Sequence, residues 1–441
     1  MSRKRMSTLF VFLLLFVALI PVVNSISVND TGVEKKPQHW FQRLDIVVSS
    51  DDDFIGPYWS GDGTAENPYV LIPRMFYGSH IQIRNTVSHF VIKDIILQAH
   101  EDYYTRNPDK SIMLLNVKNG IIVHSSIKPS LFSPGPPDDL DYIAAITITN
   151  STSIVVEDCI IADAGRGLWI VNSSNTVVVD NQIQGSRIGI DIDASLNTSV
   201  IDNKIIENAD YGVRILEGSH NSTIVGNYLG YNGISNALDN ETSTTWNIDA
   251  EGNWWDDYNE SGVYNISGLG SNFDGSPQLL DQDVSPPDIE LELGSKYYWW
   301  GPYTTFTWTL TASPYPVTPS FSAIVTDASG IDSVYLCTND ENNSLMMYEM
   351  TKNAGSDRYT YTFPDEYYDF HVLFYVWAND TAGNVWISIV REFRYLGYPR
   401  TTEPTSPTYP VGYFPIMYFT IGVIITVVVG VLVYICKARE R

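Results

Sequence analysis

Trp169, Asp191 and Arg214 recur at steps of 22 and 23 residues, and Asp193 lies two positions beyond Asp191. An indole, a carboxylate and a guanidinium brought to one face could hold a sugar ring. Two carboxylates on that face, Asp191 and Asp193, could instead do the acid–base work of glycoside hydrolysis. Arg214 beside carboxylates that bind calcium would suit a polysaccharide lyase. The bland alternative is a solvated strand face on which Asp191 and Arg214 make a surface ion pair.

Oxygen-rich loops give a second kind of candidate. Asp51–Asp53, Asp138, Asp139 and Asp141, and the pair Asp256 and Asp257 are acidic clusters of the type that suits calcium. Asp256 and Asp257 are the calcium candidates carried forward; otherwise no cofactor is expected. Asp158, Asp180 and Asp202 also recur in register, as a turn feature does. Copper needs clustered His, Met or Cys. The seven histidines form no such cluster, and Met346, Met347 and Met350 read as core packing.

The elements that must position these residues are repeats. Ser153–Ile161, Asn175–Ile183, Asn197–Ile205 and Asn221–Leu229 align on Cys159, Asn181, Asn203 and Asn227. A second block follows the first three of them, at Gly167–Ile170, Gly189–Ile192 and Gly212–Ile215. A period near 22 fits one coil of a solenoid of short strands. Apolar residues alternate with polar ones, so each block is a strand with one buried face. Leu168, Ile190 and Val213 should stack inside, with Trp169, Asp191 and Arg214 outside over Thr147. The aligned asparagines should form a hydrogen-bonded ladder at a turn, with Cys159 as a small buried substitute. Glycine opening the second block should mark a sharp corner.

This pattern resembles the right-handed parallel β-helix of the NosD-type and carbohydrate-binding-and-sugar-hydrolase repeat families. The resemblance extends upstream through Phe90–Ile95 and Gly120–Ile127, with Pro134–Asp141 as an inserted loop. Gly61–Tyr69 is similar to the entry segment of such helices, and Gly252–Tyr258 to the aromatic-acidic segment that closes them. The resemblance implies an all-β fold over residues 45–284 on which hydrolases, lyases, epimerases, adhesins and stalks all occur.

Residues 285–396 carry short aromatic and β-branched runs of the kind found in a β-sandwich, and their Asp-rich turns resemble immunoglobulin-like surface modules. Trp377 and Trp386 should pack in or near its core. Residues 397–415 read as a Pro/Thr-rich stalk. Residues 1–25 read as a signal peptide, 26–44 as a linker, 416–435 as one transmembrane helix and 436–441 as a cytoplasmic tail, by the positive residues that follow the apolar run. The expected order outward from the cell membrane is stalk, sandwich, then β-helix. Ten sequons are glycosylation candidates: Asn29, Asn150, Asn172, Asn197, Asn221, Asn240, Asn259, Asn265, Asn342 and Asn379.

A net charge of −25 on 441 residues excludes a nucleic-acid binder, which needs a basic footprint. The expectation is a single-pass cell-surface protein whose β-helix serves adhesion, glycan recognition or envelope structure, without catalysis. Its partners would be the membrane and polysaccharide or other envelope components. The alternative is a membrane-tethered polysaccharide hydrolase or lyase.

Overall fold

The computed structural model describes residues 45–397, apart from 74, 78, 99–110, 130–143, 293–310, 314–317, 340–344, 365–368 and 389. The signal peptide, stalk, transmembrane segment and Pro134–Asp141 loop expected from the sequence lie outside the described residues. Among those residues no helix is long and apolar enough to cross a membrane.

Residues 46–279 form a parallel β-helix of three sheets. Each coil contributes a longer strand to a first sheet, such as Arg166–Val171, and shorter ones to a second and a third, such as Val177–Val179 and Gln182–Gln184. The repeat sets the register directly. Leu168 pairs with Ile190, and Ile190 with Val213, all fully buried in one axial core. Isoleucine and valine suit this interior, because β-branched side chains pack in stacks on a pleated sheet.

The asparagine ladder forms at the turn between the second and third sheets. The backbone N–H groups of Cys159, Asn181 and Asn203 donate to the side-chain oxygens of Asn181, Asn203 and Asn227, at 3.0, 2.9 and 3.0 Å. Asn253 extends the ladder one coil further. Asp158, Asp180 and Asp202 occupy left-handed backbone just before it, with φ of 48, 57 and 57°, a conformation short polar side chains tolerate. Cys159 is buried and desolvation pushes its thiol up to about 12, which removes it as a nucleophile.

The glycines of the second block are not corners. Gly167, Gly189 and Gly212 lie within or at the start of strands without positive φ. A Cβ on Gly189 would sit 2.6 Å from the carbonyl oxygen of Gly212 and 2.7 Å from Ile205 Cγ2. Close packing between coils, not a turn, requires them.

Residues 288–397 form a sandwich of a four-stranded and a six-stranded sheet. Phe321, Val325 and Tyr359 of one sheet meet Leu336, Phe374 and Val376 of the other in its core. Met350 is buried, but Met346 and Met347 are 41% and 51% exposed, so the expected core role fails for those two. They lie on an edge strand with one pairing partner, Ile331–Asn339.

The sandwich does not stand end-on below the β-helix. It lies along the outer face of the third sheet, where Met75 and Ile96 join Leu373, Tyr375, Ile387 and Val390 in one apolar cluster. Asn384, Val385, Ile387 and Val390 bond to successive coils. Val390 N–H donates to Gln98, Lys128 Nζ donates to the carbonyl of Ile387 at 2.7 Å, and Gln182 donates to the carbonyl of Val385 at 2.9 Å. Lys204 reaches Asn384. Six residues of extended chain reach ~20 Å, enough to cover the ~19 Å of the four coil steps from Gln98 to Lys204. Trp386 packs at this junction, with Lys128 Nζ 3.3 Å from its ring centroid.

Lys128 makes the junction sensitive to pH. Burial pulls its ammonium from 10.5 down to about 7, against the opposing charge of Asp163. Between those values the unfolded chain holds a proton that the folded chain lacks. Its penalty is therefore full below pH 7 and is lifted as pH rises toward 10.5. Lys128→Met should raise stability at pH 6 by about 1–4 kcal/mol and flatten the rise above neutrality. Urea denaturation across that pH range measures both.

Candidate functional site

The predicted trio is assembled on the outer face of the first sheet. Thr147 pairs with Trp169, Trp169 with Asp191, and Asp191 with Arg214, one coil apart each. Strands of a parallel β-helix are spaced by ~4.8 Å, so these side chains form one column. Asp193 stands in the neighbouring outward column, paired with Val171, and is half-buried.

The site contains a residue that the repeat alignment passed over. Arg166, at the start of the strand that carries Trp169, donates from Nε to Asp191 Oδ2 at 2.7 Å. From the other side Arg214 donates from Nε to Oδ1 at 2.8 Å and from Nη2 to Oδ2 at 2.7 Å. The Asp191 side chain is 1% exposed. This is no solvated surface pair but a carboxylate closed off between two guanidiniums. Hydrogen bonds to Asp191 also hold Arg214 further above its ordinary value.

Arg166 in turn covers the indole, with Cζ 4.5 Å from the Trp169 ring centroid. Its Nη1 is buried and lacks a hydrogen-bond partner. In the alignment Arg166 faces Ile188 and Tyr211, so it breaks the repeat; that irregularity was its only signal. The resulting unit is two cations, one buried anion and one aromatic ring.

The calcium candidates are elsewhere and are already engaged. Asn236 donates to Asp256 at 2.7 Å and to Asp257 at 3.0 Å, and Tyr264 donates to Asp257. Burial, then the Asp257 charge, raise the Tyr264 phenol well above its ordinary range. Among the described residues, the carboxylates that converge are instead those of Asp283, Asp327 and Asp380, within 4.8 Å of one another. They bridge the end of the β-helix and two sandwich turns, which no sequence spacing could announce. Lys204 lies beside them, and the charges of Asp380 and Asp283 offset part of its desolvation.

Of the sequons, Asn150, Asn172, Asn197 and Asn221 are exposed at left-handed turns, and Asn172 donates to Asn150 at 2.6 Å. Asn259 and Asn265 are exposed. Asn240 and Asn379 are half-buried, accepting from Leu269 N–H and Ser333 N–H. Asn29 and Asn342 lie outside the described residues.

Residues 60–260 match the family described as periplasmic copper-binding protein (NosD). No curated protein matches the chain. Similar solved structures include the enzymatically active domain of tailspike protein 2 of bacteriophage CBA120, 13% identical, covering 71% of this chain and 57% of that one, with a TM-score of 0.24. A periplasmic alginate epimerase, AlgG, in a mutant form is 16% identical, with 47% and 46% covered and a TM-score of 0.24. The chain thus spans about half the length of these two proteins.

Proposed function

Starting from a NosD-type parallel β-helix over residues 60–260, we propose that this protein is a non-enzymatic, membrane-anchored surface protein that binds glycan on the outer face of the first sheet. The observation that carries the reading is the state of Asp191. Both its oxygens accept from guanidiniums and its side chain is 1% exposed. A carboxylate so committed is poorly placed to exchange protons with a substrate. Its service is to hold Arg166 and Arg214 in fixed positions beside Trp169, as preorganised recognition of polar ligands requires.

The name of the matching family raises copper. The converging donors found are the oxygens of Asp283, Asp327 and Asp380, which suit hard cations. The two described cysteines are free, buried and in separate modules. These residues do not fit a copper centre, and no step is assigned to one. Single-pass anchoring with the β-helix outside the cell rests on the sequence of the two ends.

The test uses the full chain in detergent, with and without calcium, on immobilised neutral and uronic-acid polysaccharides. Retention without release of new ends is expected. Trp169→Ala should weaken retention by about tenfold, the worth of one aromatic contact. Release of new chain ends would overturn the reading in favour of a hydrolase or lyase. Retention unaffected by Trp169→Ala would move the site off this face.

A further inference from the structure

The second sheet of the β-helix carries valine and isoleucine at most of its outward positions as well as its inward ones. Val91, Ile121, Val155 and Val177 form one outward column, which Ser199 and Thr223 continue. Val123, Val179 and Ile201 form the next, with Lys93 and Glu157 its two charged members. Strands that are apolar on both faces belong to sheets covered on both faces. The third sheet shows the effect of cover: outward Ile96, Lys128 and Gln182 are buried at the junction with the sandwich. The matching positions of the second sheet remain half-buried, with no described element upon them.

Two polar columns flank this face. Asn175, Asn197 and Asn221 precede the strands, and Asp158, Asp180 and Asp202 follow them; all six are exposed at left-handed turns. Each column rises at the coil pitch of ~4.8 Å. Within the Asn column Asn197 donates to Asn175 at 3.1 Å and Asn221 to Asn197 at 3.5 Å, each through one amide hydrogen, which leaves the second to donate outward.

We propose that this face is the interface of a homodimer whose twofold axis runs parallel to the solenoid axis. That axis sets the first apolar column of one copy against the second column of the other. It also sets the amide column against the carboxylate column, coil by coil and in donor-to-acceptor sense. A twofold axis across the solenoid would set carboxylates against carboxylates, so the charge pattern selects the parallel arrangement. From Val70 to Thr223 the face rises six strand pairings. That is ~29 Å, and with its flanking columns ~20 Å wide it offers ~600 Å² per copy, the lower end for a specific interface. Asn197 and Asn221 are sequon residues, so glycans there would keep the copies apart.

The test is sedimentation equilibrium of the full, unglycosylated chain in detergent. A dimer is expected, and Val177→Lys should weaken it at least about tenfold, as for a central interface position. Met113→Lys, outward on the first sheet, should leave it unchanged. The double variant Asn175→Cys, Asp180→Cys should cross-link between copies, while Asp180→Cys alone should not. A monomer at about 100 µM would overturn the proposal, whatever else covers the face. So would indifference to Val177→Lys, or cross-linking by Asp180→Cys alone.

Discussion

Asp191→Ala should cost the fold about 3–5 kcal/mol, the toll of leaving buried charge without its partner. The side chain removed is 1% exposed, and it leaves Arg166 and Arg214 facing each other with side chains only 14% and 22% exposed. Two guanidiniums would then share a site with no acceptor between them. An exposed ion pair would cost no more than about 1 kcal/mol, so urea denaturation separates the two cases cleanly. Asp191→Asn keeps the shape and one acceptor and should fall between. If Asp191→Ala lost less than about 1 kcal/mol, the trio would revert to an ordinary solvated strand face and the recognition site would lose its basis.

Asn203→Ala should be of similar size, about 3 kcal/mol or more, because it breaks a buried network at its middle. The Asn203 amide nitrogen donates to the carbonyls of Val178 and Ile201, both at 2.9 Å, and to Asn227 at 3.0 Å. Its oxygen accepts from the backbone and side chain of Asn181, both at 2.9 Å. Truncation leaves donors and acceptors on two coils without partners and without water. The ladder also predicts an asymmetry. Cys159 stands at its first position, where its N–H donates to Asn181 and its thiol lies near the carbonyl of Glu157. Cys159→Asn adds a rung and should be tolerated within about 1 kcal/mol, whereas Asn203→Cys should cost nearly as much as Asn203→Ala. Equal effects of the two would show that the ladder contributes no cooperative stability.

The solenoid was legible because one coil is one sequence period. Once Cys159, Asn181, Asn203 and Asn227 are aligned, strand register follows, and with it the column of Trp169, Asp191 and Arg214. Arg166 was missed for the same reason: an alignment reports what repeats, and Arg166 stands opposite Ile188. The glycines were placed in the right strands with the wrong cause. Spacing shows that Gly189 recurs with Gly167, but only coordinates show that a Cβ there would meet the next coil.

The sequence by itself determined the parallel β-helix, its ladder and the outward trio, because each depends on interactions between residues one period apart. Tertiary structure alone decided which outward faces are covered. Lys128 and Gln182 point outward from short strands, yet both are buried, because a segment over 200 residues later lies across them. The same packing set the sandwich beside the coils and brought Asp283, Asp327 and Asp380 together. Burial of an outward side chain depends on what arrives from elsewhere in the chain, and no local period records that arrival.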